Sequence, residues 1–588
     1  MRLEHLGLIG NCQYSALVAR TGEIPWCCLP RFDSEPVFGA LLDEQSGGSF
    51  LVGPAAGGDG TQRYLPNTPI LETTFRTAEG AFRIIDFAPR FFQHDRCFRP
   101  TQIVRIVEPI DGQPRIRVRC APRLGWSRGL PVEVSGSNHV RYDGFAGPLR
   151  LWTDIPLSYL GGAPIALTGR RHLILSWGAN IDEPLTGLCE RFRAETTRYW
   201  RRWVKHCNVP PLYQAEVIRS ALTLKLHCFE DTGAIVAATT TSIPESPHSG
   251  RTWDYRYCWL RDSYYVLGAF RLLGQFEERE HFTQYLLNVV ASHPSLDLAP
   301  LHRVDGTSDL EERVLPDWPG YHGDGPVRIG NAAAAQRQHD IFGELVLALA
   351  PVFLDDRFHA EQTRESLDLL VRLTQKAIDV AGTPDAGIWE VRAAMKPQTF
   401  SSLMSWAACD RMAMVADRHL PGRGDGYRAA AARIKAEILD RAWHAGLGSF
   451  VSSYGGSDFD ASLLQLGPLH FLPPSDGRLA TSLDATTRAL GRGGWLLRYH
   501  NDDGLGLPTI AFTICTFWLV EALAAIGRLD EARQVLEHAR AALSPLGLLS
   551  EDYEATSLQM WGNFPQAYSH VGLIHAAFAA SPHWSDIL

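Results

Sequence analysis

The hydrophobic pattern of this chain changes its period near Pro184, and that change restricts the fold more than any other feature of the sequence. Before this residue, short stretches such as residues 115–120 alternate between polar and apolar positions, which is typical of half-buried strands. After it, apolar residues recur at helical spacing over much longer segments. The sequence therefore predicts a β-rich region followed by a larger α-helical region.

The β-rich region is expected to form one β-sandwich domain over residues 1–183. Many short strands joined by turns that contain Gly or Pro favour a sandwich. A turn is predicted at Asp111-Gly112, and a long amphipathic stretch predicts a connecting helix within a linker over residues 184–210. The clearest predicted strands are 82–87, 103–107, 115–120 and 172–177.

Residues 211–588 are expected to form a catalytic domain of paired helices. Six helical hairpins would close into an (α/α)6 barrel, and long loops at one end of such a rigid barrel are where a functional site is expected. The predicted fold is therefore mainly α, with an N-terminal β-sandwich followed by an (α/α)6 barrel. Close to twelve helices are indicated, and the predicted segments are 212–230, 261–274, 277–293, 332–354, 359–381, 399–419, 425–444, 477–490, 508–526, 529–543 and 565–580.

Length and charge exclude several classes of protein. A chain of 588 residues is too long for one ordinary core, so at least two domains are expected. A formal net charge of −9 is small for this length and gives no electrostatic argument for binding nucleic acid or an anionic membrane. The sequence has no run of about 20 apolar residues, so no membrane span is predicted.

The first residues and the cysteines predict a cytoplasmic protein. Residues 1–7 include an early acidic residue and no sustained apolar core, unlike a signal peptide. The chain has 11 cysteines, an odd number, and the adjacent Cys27 and Cys28 belong to no CxxC framework. Reduced thiols in the cytoplasm are the simplest interpretation, and the sequence leaves homo-oligomerisation open.

Two glutamates stand in aromatic settings far apart in the chain. Glu390 follows Trp389, and Glu551 follows a stretch rich in Gly and Pro and precedes Tyr553 by two positions. An apolar aromatic wall raises the pKa of a carboxyl group by desolvation, which suits a general acid. Glycoside hydrolysis needs two carboxyl groups, because one protonates the leaving oxygen and the other acts on the opposite face of the sugar. Taken singly, each glutamate is equally well interpreted as a surface or turn carboxylate.

The segment 253–262 and the loop 498–504 carry further polar groups. Arg261 and Asp262 can clamp neighbouring sugar hydroxyls between aromatic side chains, although a local ion pair at a helix start is the alternative. The loop 498–504 contains two adjacent aspartates, but no second cluster with ligand spacing supports a metal site. The sequence has no HExxH, no GxSxG and no GxGxxG after a strand. We therefore expect neither a metal nor a cofactor.

Over essentially its whole length the chain resembles glycoside hydrolase family 15, which contains glucoamylases and bacterial trehalase-like enzymes. Residues 10–18 and 28–33 resemble the start of the β domain in bacterial members. The family pattern Trp-x-Arg-Asp matches Trp259, Arg261 and Asp262. The resemblance implies that these three residues bind the non-reducing glucose in the −1 subsite.

The resemblance also implies roles for the two glutamates. The acid motif of the family matches Trp389-Glu390, and its base motif matches residues 550–553, which implies Glu390 as general acid and Glu551 as general base. The tyrosine four positions before the Trp of the first motif is Tyr255, which is expected near the attacking water. Arg498 matches an arginine that reaches the bound sugar, and Tyr257 and Trp389 complete the predicted substrate-binding set.

The chain departs from the fungal glucoamylases at one site position and in its overall composition of parts. Val391 stands where those enzymes have a second glutamate directly after the acid, so their contacts to the leaving group do not transfer. The starch-binding module and the secretion signal of many fungal members are missing from the sequence given, which argues against raw starch as the substrate.

The sequence thus predicts an exo-acting, inverting α-glucoside hydrolase of the glucoamylase type. It would release β-glucose from the non-reducing end of small α-glucans or α-linked gluco-oligosaccharides, with Glu390 protonating the glycosidic oxygen and Glu551 deprotonating a water. Within the family, an α,α-trehalase that acts on a disaccharide is the alternative. The alternatives from other classes are a helical-barrel lyase or epimerase, which would use His or Tyr, and a non-catalytic sugar-binding protein on the same fold.

Overall fold

A computed structural model describes residues 1–392, 394–504 and 506–588, and in it a β-rich N-terminal part precedes a helical part. All four of the clearest strand predictions are confirmed. In chain order the strands of the N-terminal part are β1 Leu6–Gly10, β2 Ser15–Ala19, β3 Glu23–Ile24, β4 Trp26–Cys28, β5 Pro36–Phe38, β6 Ser49–Pro54, β7 Thr61–Tyr64, β8 Leu71–Thr77, β9 Gly80–Phe87, β10 Phe91–Gln93, β11 Arg96–Phe98, β12 Gln102–Gly112, β13 Arg115–Ala121, β14 Val132–Ser135, β15 His139–Asp143, β16 Leu149–Thr153, β17 Ile165–Ala166 and β18 Arg171–Trp177.

These strands form antiparallel sheets that share one core. The largest has the strand order β14-β15-β16-β18-β12-β9-β8-β7, and two four-stranded sheets have the orders β1-β2-β4-β5 and β17-β13-β6-β3. Ile84 of the large sheet and Val52 and Val118 of a small sheet belong to the same buried cluster. The turn predicted at Asp111-Gly112 is wrong, because both residues belong to β12, and β13 begins only at Arg115.

The opposite face of the large sheet is covered by the predicted connecting helix, α1 Leu185–Lys205. Successive residues of a strand point to opposite faces, and here Ile84 lies in the shared core while Ile85 packs under α1 with Leu188 and Phe192. Burial on both faces explains why the central strands are apolar at nearly every position. The helix therefore belongs structurally to the N-terminal part, which it joins to the helices that follow.

The helical part matches most of the predicted segments to within a few residues. Two helices are exact, because the segments predicted at 399–419 and 477–490 are helical over those residues. The helices that follow α1 are α2 Gln214–Lys225, α3 Leu260–Leu272, α4 Glu277–Ala291, α5 Asp340–Leu354, α6 Arg364–Val380, α7 Thr399–His419, α8 Gly424–Arg441, α9 Gly477–Leu490, α10 Thr513–Ala525, α11 Leu529–Ala539 and α12 Ala567–Ala580. In the described residues, no helix is both long enough and apolar enough to cross a bilayer.

Five of these helices and one 3-10 segment contact one another in a closed sequence. Helix α3 contacts α5, α5 contacts α7, and α7 contacts the 3-10 segment Ala461–Leu466, which contacts α10. The sequence closes because α10 contacts α12 and α12 contacts α3. The other helices pack outside this set, so α10 is buried on all sides whereas α6 and α11 bury a single face.

One predicted helix is broken where the structure needs an extended chain. The segment 332–354 was expected to be one helix because Ala332–Ala335 is rich in alanine, but these residues form a short 3-10 turn and α5 begins only at Asp340. Gln336 has an extended backbone, and its side chain donates to the backbone oxygen of Glu390 (3.0 Å). A tertiary contact to a predicted site residue accompanies the loss of the helix.

Short two- and three-residue strands connect the helices at the end where the long loops lie. Two of the sheets that they form are the pairs β21 with β22 and β23 with β24, and a third contains β31, β32 and β33. The strands of the helical part are β19 Cys228–Phe229, β20 Ala234–Ile235, β21 Cys258–Trp259, β22 Leu301–His302, β23 Arg313–Leu315, β24 Val327–Ile329, β25 Pro384–Asp385, β26 Lys396–Pro397, β27 Trp443–His444, β28 Ser449–Phe450, β29 Gly491–Arg492, β30 Trp495–Leu496, β31 Ala511–Phe512, β32 Asp552–Glu554 and β33 Gln559–Trp561.

Candidate active site

The start of α3 places three predicted site residues at the mouth of the helical part. Strand β21 pairs with β22 and runs directly into α3, so Trp259 has an extended backbone while Arg261 and Asp262 lie in the first helical turn. The Arg261 guanidinium is buried and donates to the backbone oxygen of Ile388 (2.8 Å). This bond attaches α3 to the loop that carries Glu390.

Glu390 lies in a tight turn and remains partly open to solvent. Its backbone N–H donates to the oxygen of Gly387 (3.1 Å), and its φ of 58° is in the left-handed region that non-glycine residues seldom adopt. The Oε1 atom accepts from Trp259 Nε1 (2.7 Å) and lies 3.4 Å from the guanidinium nitrogens of Arg261. Its side chain is 23% exposed. These contacts to one oxygen fix the orientation of the carboxyl group.

Glu551 has a different environment, because it is fully buried beside β32. Its Oε1 accepts from the Tyr255 hydroxyl (2.7 Å), and its Oε2 accepts from the backbone N–H of Asn563 (3.1 Å). Gly562 has a φ of 70°, and a Cβ at that position would lie 2.6 Å from Glu551 Oε2, so only glycine fits this approach. The chain encloses Glu551 on this side and leaves it facing Tyr255.

Burial and neighbouring charge change the proton affinity of several carboxyl groups here. Burial, followed by repulsion from Glu245, raises the pKa of Glu551 to about 8, although the hydrogen bond from Tyr255 and the charge of Arg498 act in the opposite direction. Burial also raises the pKa of Asp262 to about 6, against the lowering effect of Arg261. The pKa of the group predicted as the base therefore lies well above that of an ordinary glutamate.

A second set of charged side chains, here called the arginine cluster, consists of Glu245, Arg251, Arg498 and Asp503. Arg251 joins the two carboxylates, with Nε 2.6 Å from Glu245 Oε2 and Nη2 2.8 Å from Asp503 Oδ2. Arg498 donates to Glu245 as well. All four residues are buried, and Arg498 and Arg251 lower the pKa of Glu245 although burial alone would raise it. Paired and hydrogen-bonded in this way, the charges are tolerated inside the protein.

The loop after Glu390 connects the two glutamate environments. The Arg392 backbone N–H donates to the oxygen of Asp503 (3.1 Å), and its guanidinium lies 4.4 Å from the ring centre of Trp253. Trp253 Nε1 in turn donates to Glu245 (2.9 Å). Residues from the α3 start, the 387–392 loop and the arginine cluster thus line one cavity of about 60 Å³.

The structure brings most of the predicted site residues to this cavity. Glu551 lies directly behind Tyr255 rather than in the cavity wall. Trp389 is held by a hydrogen bond from its Nε1 to Asp460 (2.8 Å). The predicted residues that line the cavity are Tyr255, Trp259, Arg261, Asp262, Trp389, Glu390 and Arg498.

Tyr257 is the exception, because the structure places it away from this cavity. Its hydroxyl donates to Asp254 (3.0 Å) and accepts from the backbone N–H of Gly330 (3.1 Å). Its ring lines a different and larger cavity. Residues 253–257 form no regular strand, and Arg256 and Tyr257 both line the larger cavity while Tyr255 lines the smaller one, so proximity in sequence to Tyr255 did not imply the same surroundings.

The sequence analysis missed Glu245, Arg251 and Phe512 as cavity residues, and it interpreted Asp503 only as half of an acidic pair. Asp503 instead accepts from Arg251, which is about 250 residues away in the chain. Within the described residues, no group of three or more His, Cys, Asp or Glu side chains could hold a metal ion. Only the Trp253 to Asp262 segment, with its high density of aromatic and charged residues, pointed toward this wall.

Comparison with known proteins places the chain in a family. The family described as Glycosyl hydrolases family 15 matches residues 212–578, and a unit described as Trehalase-like, N-terminal matches residues 1–154. The chain is 36% identical over 97% of its length to a Mycobacterium tuberculosis protein named Trehalase, covering 88% of that protein. It is 32% identical over 98% of its length to a Thermoplasma volcanium protein named Trehalase, covering 93% of it.

More distant similarities extend over the same length. A Sulfolobus acidocaldarius protein named Trehalase 1 is 29% identical, with 98% of each chain covered. Among solved structures, a bacterial glucoamylase complexed with acarbose superposes with a TM-score of 0.65 at 13% identity, covering 98% of this chain and 93% of the other. At this identity the superposition shows a shared fold, in which a β-rich part precedes a helical part.

Proposed function

The chain belongs to glycoside hydrolase family 15, and we propose that it is an exo-acting, inverting α-glucosidase whose preferred substrate is the α,α-linked disaccharide trehalose. Hydrolysis of a glycosidic bond follows from the family. The choice of trehalose places the disaccharide ahead of the small α-glucans that the sequence alone favoured. The names of the relatives support trehalose ahead of the α-glucans, because the three proteins aligned over nearly the whole chain are each named as a trehalase.

The observation that carries the proposal is the composition of the cavity on both sides of Glu390. One side carries Trp259, Arg261 and Asp262, the family's glucose-binding pattern. The loop that continues past Glu390 brings Arg392 over Trp253, next to the arginine cluster. Hydrogen-bonding side chains on both sides of Glu390 suit a ligand that has a polar sugar ring on each side of the bond that is cleaved.

In the proposed mechanism Glu390 protonates the glycosidic oxygen. Trp259 and Arg261 both contact Oε1, which leaves Oε2 as the atom from which the proton is transferred. The partial exposure of this carboxyl group matches its role, since the leaving glucose has to depart through the open side of the cavity. Arg392, two residues further along the same loop, is the nearest candidate to hydrogen-bond that leaving ring.

Glu551 acts as the general base and Tyr255 as its positioning partner. The tyrosine hydroxyl lies between the cavity and the Glu551 carboxylate, so a water held there can attack the anomeric carbon from the enclosed side. The O–H of Tyr255 and the backbone N–H of Asn563 stabilise the ionised form of Glu551. A raised pKa makes Glu551 a stronger base once ionised, and no covalent intermediate is required.

We also propose the architecture and location that the sequence analysis expected. The domains are a β-sandwich over 1–183, a linker helix region over 184–210 and an (α/α)6 barrel over 211–588, with Ala461–Leu466 taking the place of one inner helix. The closed sequence of contacts from α3 round to α12 supports the barrel. All 11 cysteines lie in the described residues and none is in a disulfide, which is compatible with a cytoplasmic location.

The proposal is tested by comparing kcat/KM on trehalose, maltose, isomaltose, kojibiose, nigerose and maltotriose. We expect trehalose to exceed every other sugar by at least about tenfold, a difference of about 1.4 kcal/mol in transition-state binding. Arg392→Ala should lower kcat/KM on trehalose roughly tenfold or more while changing hydrolysis of α-glucosyl fluoride little, because the fluoride has no second ring. A higher kcat/KM on maltose or maltotriose would refute trehalose as the preferred substrate.

A further inference from the structure

A second cavity, much larger than the first, lies between the N-terminal part and the loops of the helical part. Its volume is about 880 Å³, within the range of about 300–1,000 Å³ that small-molecule sites occupy. It is separated from the active-site cavity by the segment 253–257, in which Trp253 and Tyr255 line one cavity while Arg256 and Tyr257 line the other. None of the catalytic proposals above uses it.

Aromatic side chains of the N-terminal part form one wall of this second cavity. Trp126, Phe145 and Trp177 line it, and each is only partly buried. Phe145 and Trp177 meet edge to face, with ring centres 5.8 Å apart, and Trp126 packs against Trp318 at 5.2 Å. Partly exposed indole rings next to polar groups offer flat apolar faces of the kind on which a sugar ring can pack.

Charged side chains of both signs form the rest of the wall. A small anion would meet several carboxylates here and a cation would meet several guanidinium groups, whereas a neutral polyhydroxylated ligand can hydrogen-bond to both. Glu35, Glu311 and Arg313 are exposed and can reorient towards a ligand. The charged lining residues are Asp33, Glu35, Asp309 and Glu311 on the acidic side and Arg256, Arg303 and Arg313 on the basic side.

One short stretch of chain faces both cavities. Glu311 and Arg313 line the second cavity, while Glu312 between them pairs with Arg392 (3.3 Å) at the active site. The partner strand β24 repeats the pattern, because Ile329 lies opposite Arg313 and lines the second cavity while Arg328 pairs with Glu312 (3.0 Å). The segment 311–313 and β24 therefore connect the wall of the second cavity to an active-site arginine through Glu312.

We propose that the second cavity is a binding site for a gluco-oligosaccharide and that its occupancy acts on the active site through residues 311–313. The rings of Trp126 and Trp177 pack against the sugar, and Glu311 and Arg313 hydrogen-bond its hydroxyls. Holding these two side chains fixes the segment 311–313 that carries Glu312, and with it the position of Arg392. Glucose as the building block of the ligand rests on the proposed function, whereas the existence of a second sugar site does not.

The binding test uses the full chain with its active site inactivated, as Glu390→Gln, and maltotriose as the probe. Equilibrium dialysis should give two bound maltotriose molecules per chain. Adding Trp177→Ala and Arg313→Ala should weaken one of the two sites about tenfold or more and leave the other unchanged. The matched control, Trp584→Ala with Arg364→Ala, removes the same residue types from exposed positions outside both cavities and should keep both sites.

A kinetic measurement separates this proposal from the choice of trehalose. With otherwise wild-type enzyme and any α-glucoside that it hydrolyses, maltotriose should change kcat as well as KM, and in the Trp177→Ala, Arg313→Ala variant it should change KM alone. Glu311→Gln, a milder exposed change, should weaken the effect on kcat in the same direction. If the cavity variants leave the binding of maltotriose unchanged, the proposal is overturned even if trehalose proves to be the substrate.

Discussion

The surroundings of Glu390 and Glu551 differ in almost every physical respect. Glu390 is partly exposed, lies in a strained turn and is held through one oxygen by an indole and a guanidinium. Glu551 is completely buried. Its two carboxyl oxygens accept hydrogen bonds from the Tyr255 hydroxyl and from the backbone N–H of Asn563. Burial raises the pKa of Glu551 to about 8.

The difference indicates which step each carboxyl group can serve. A leaving group needs an exit, so the proton donor belongs at the open side, whereas a single attacking water is best held where no other water competes. Two identical side chains can therefore perform opposite proton transfers because the protein gives them different exposure and different donors.

Glu551→Gln should have the largest effect. Without the base the attacking water keeps its proton, and we expect kcat to fall by about 10³–10⁴ on both trehalose and α-glucosyl fluoride. Glu365→Gln, an exposed glutamate in the first turn of α6, is the matched control and should retain full activity. Near-normal turnover of the fluoride by Glu551→Gln would remove Glu551 from the role of base.

Glu390→Gln should have a comparable effect on trehalose and a much smaller one on the fluoride. The expected loss is about 10²–10⁴ on trehalose, because a glucose leaving group needs a proton. Fluoride departs with little proton donation, so turnover of α-glucosyl fluoride should fall by less than about tenfold. Equal losses on the two substrates would argue against Glu390 as the acid.

Tyr255→Phe and Tyr257→Phe form a matched pair that tests the two sides of one segment. The first removes the hydroxyl that contacts Glu551, and we expect kcat/KM on trehalose to fall roughly 10- to 100-fold. The second removes a hydroxyl bonded to Asp254 and Gly330 beside the other cavity, and the expected loss is less than about threefold. Equal losses in the two variants would contradict the separation of these side chains.

The pH dependence should show the smallest but most specific effect. A base has to be ionised, so kcat/KM of the wild type on α-glucosyl fluoride, which needs little proton donation from Glu390, should rise with pH up to about 8, the pKa of Glu551 in the free enzyme. The charge of Glu245 helps to raise that pKa, so Glu245→Gln should move the rising limb to lower pH by roughly one unit. Tyr255→Phe removes a bond that lowers the pKa and should move the limb upward. If Glu245→Gln leaves the rising limb of the pH profile at the same pH, that limb does not report the ionisation of Glu551.

Much of the fold could be predicted from local patterns. Alternation predicted strands such as β9 and β13, and helical spacing predicted α9 to the residue. In these elements the buried face produces a periodic pattern of apolar residues within a short stretch of sequence. The alanine run before α5 was predicted as helix and is not, since propensity there gives way to contacts such as that of Gln336 with Glu390. The 3-10 segment Ala461–Leu466 was missed because it is too short for a periodic signal.

The site was predictable where its residues are neighbours in the chain and unpredictable where they are not. Trp259, Arg261 and Asp262 form one motif, and the structure keeps them together. The place of Glu245, Arg251 and Asp503 in the site depends on contacts between loops about 250 residues apart, and no local sequence pattern predicts such contacts. Tyr257 shows the opposite error, because a sequence neighbour of Tyr255 was assigned to the same cavity and faces the other one.

The stereochemistry of trehalose hydrolysis tests the central claim most directly. Trehalose contains two α-linked glucose units, and a single displacement by water inverts only the unit bound beside Glu551. Proton NMR in the first minutes, before mutarotation, should therefore show α-glucose and β-glucose accumulating in equal amounts. Accumulation of α-glucose alone would mean that the anomeric configuration is retained through a double displacement, and it would contradict the assignment of Glu551 as a base acting on water.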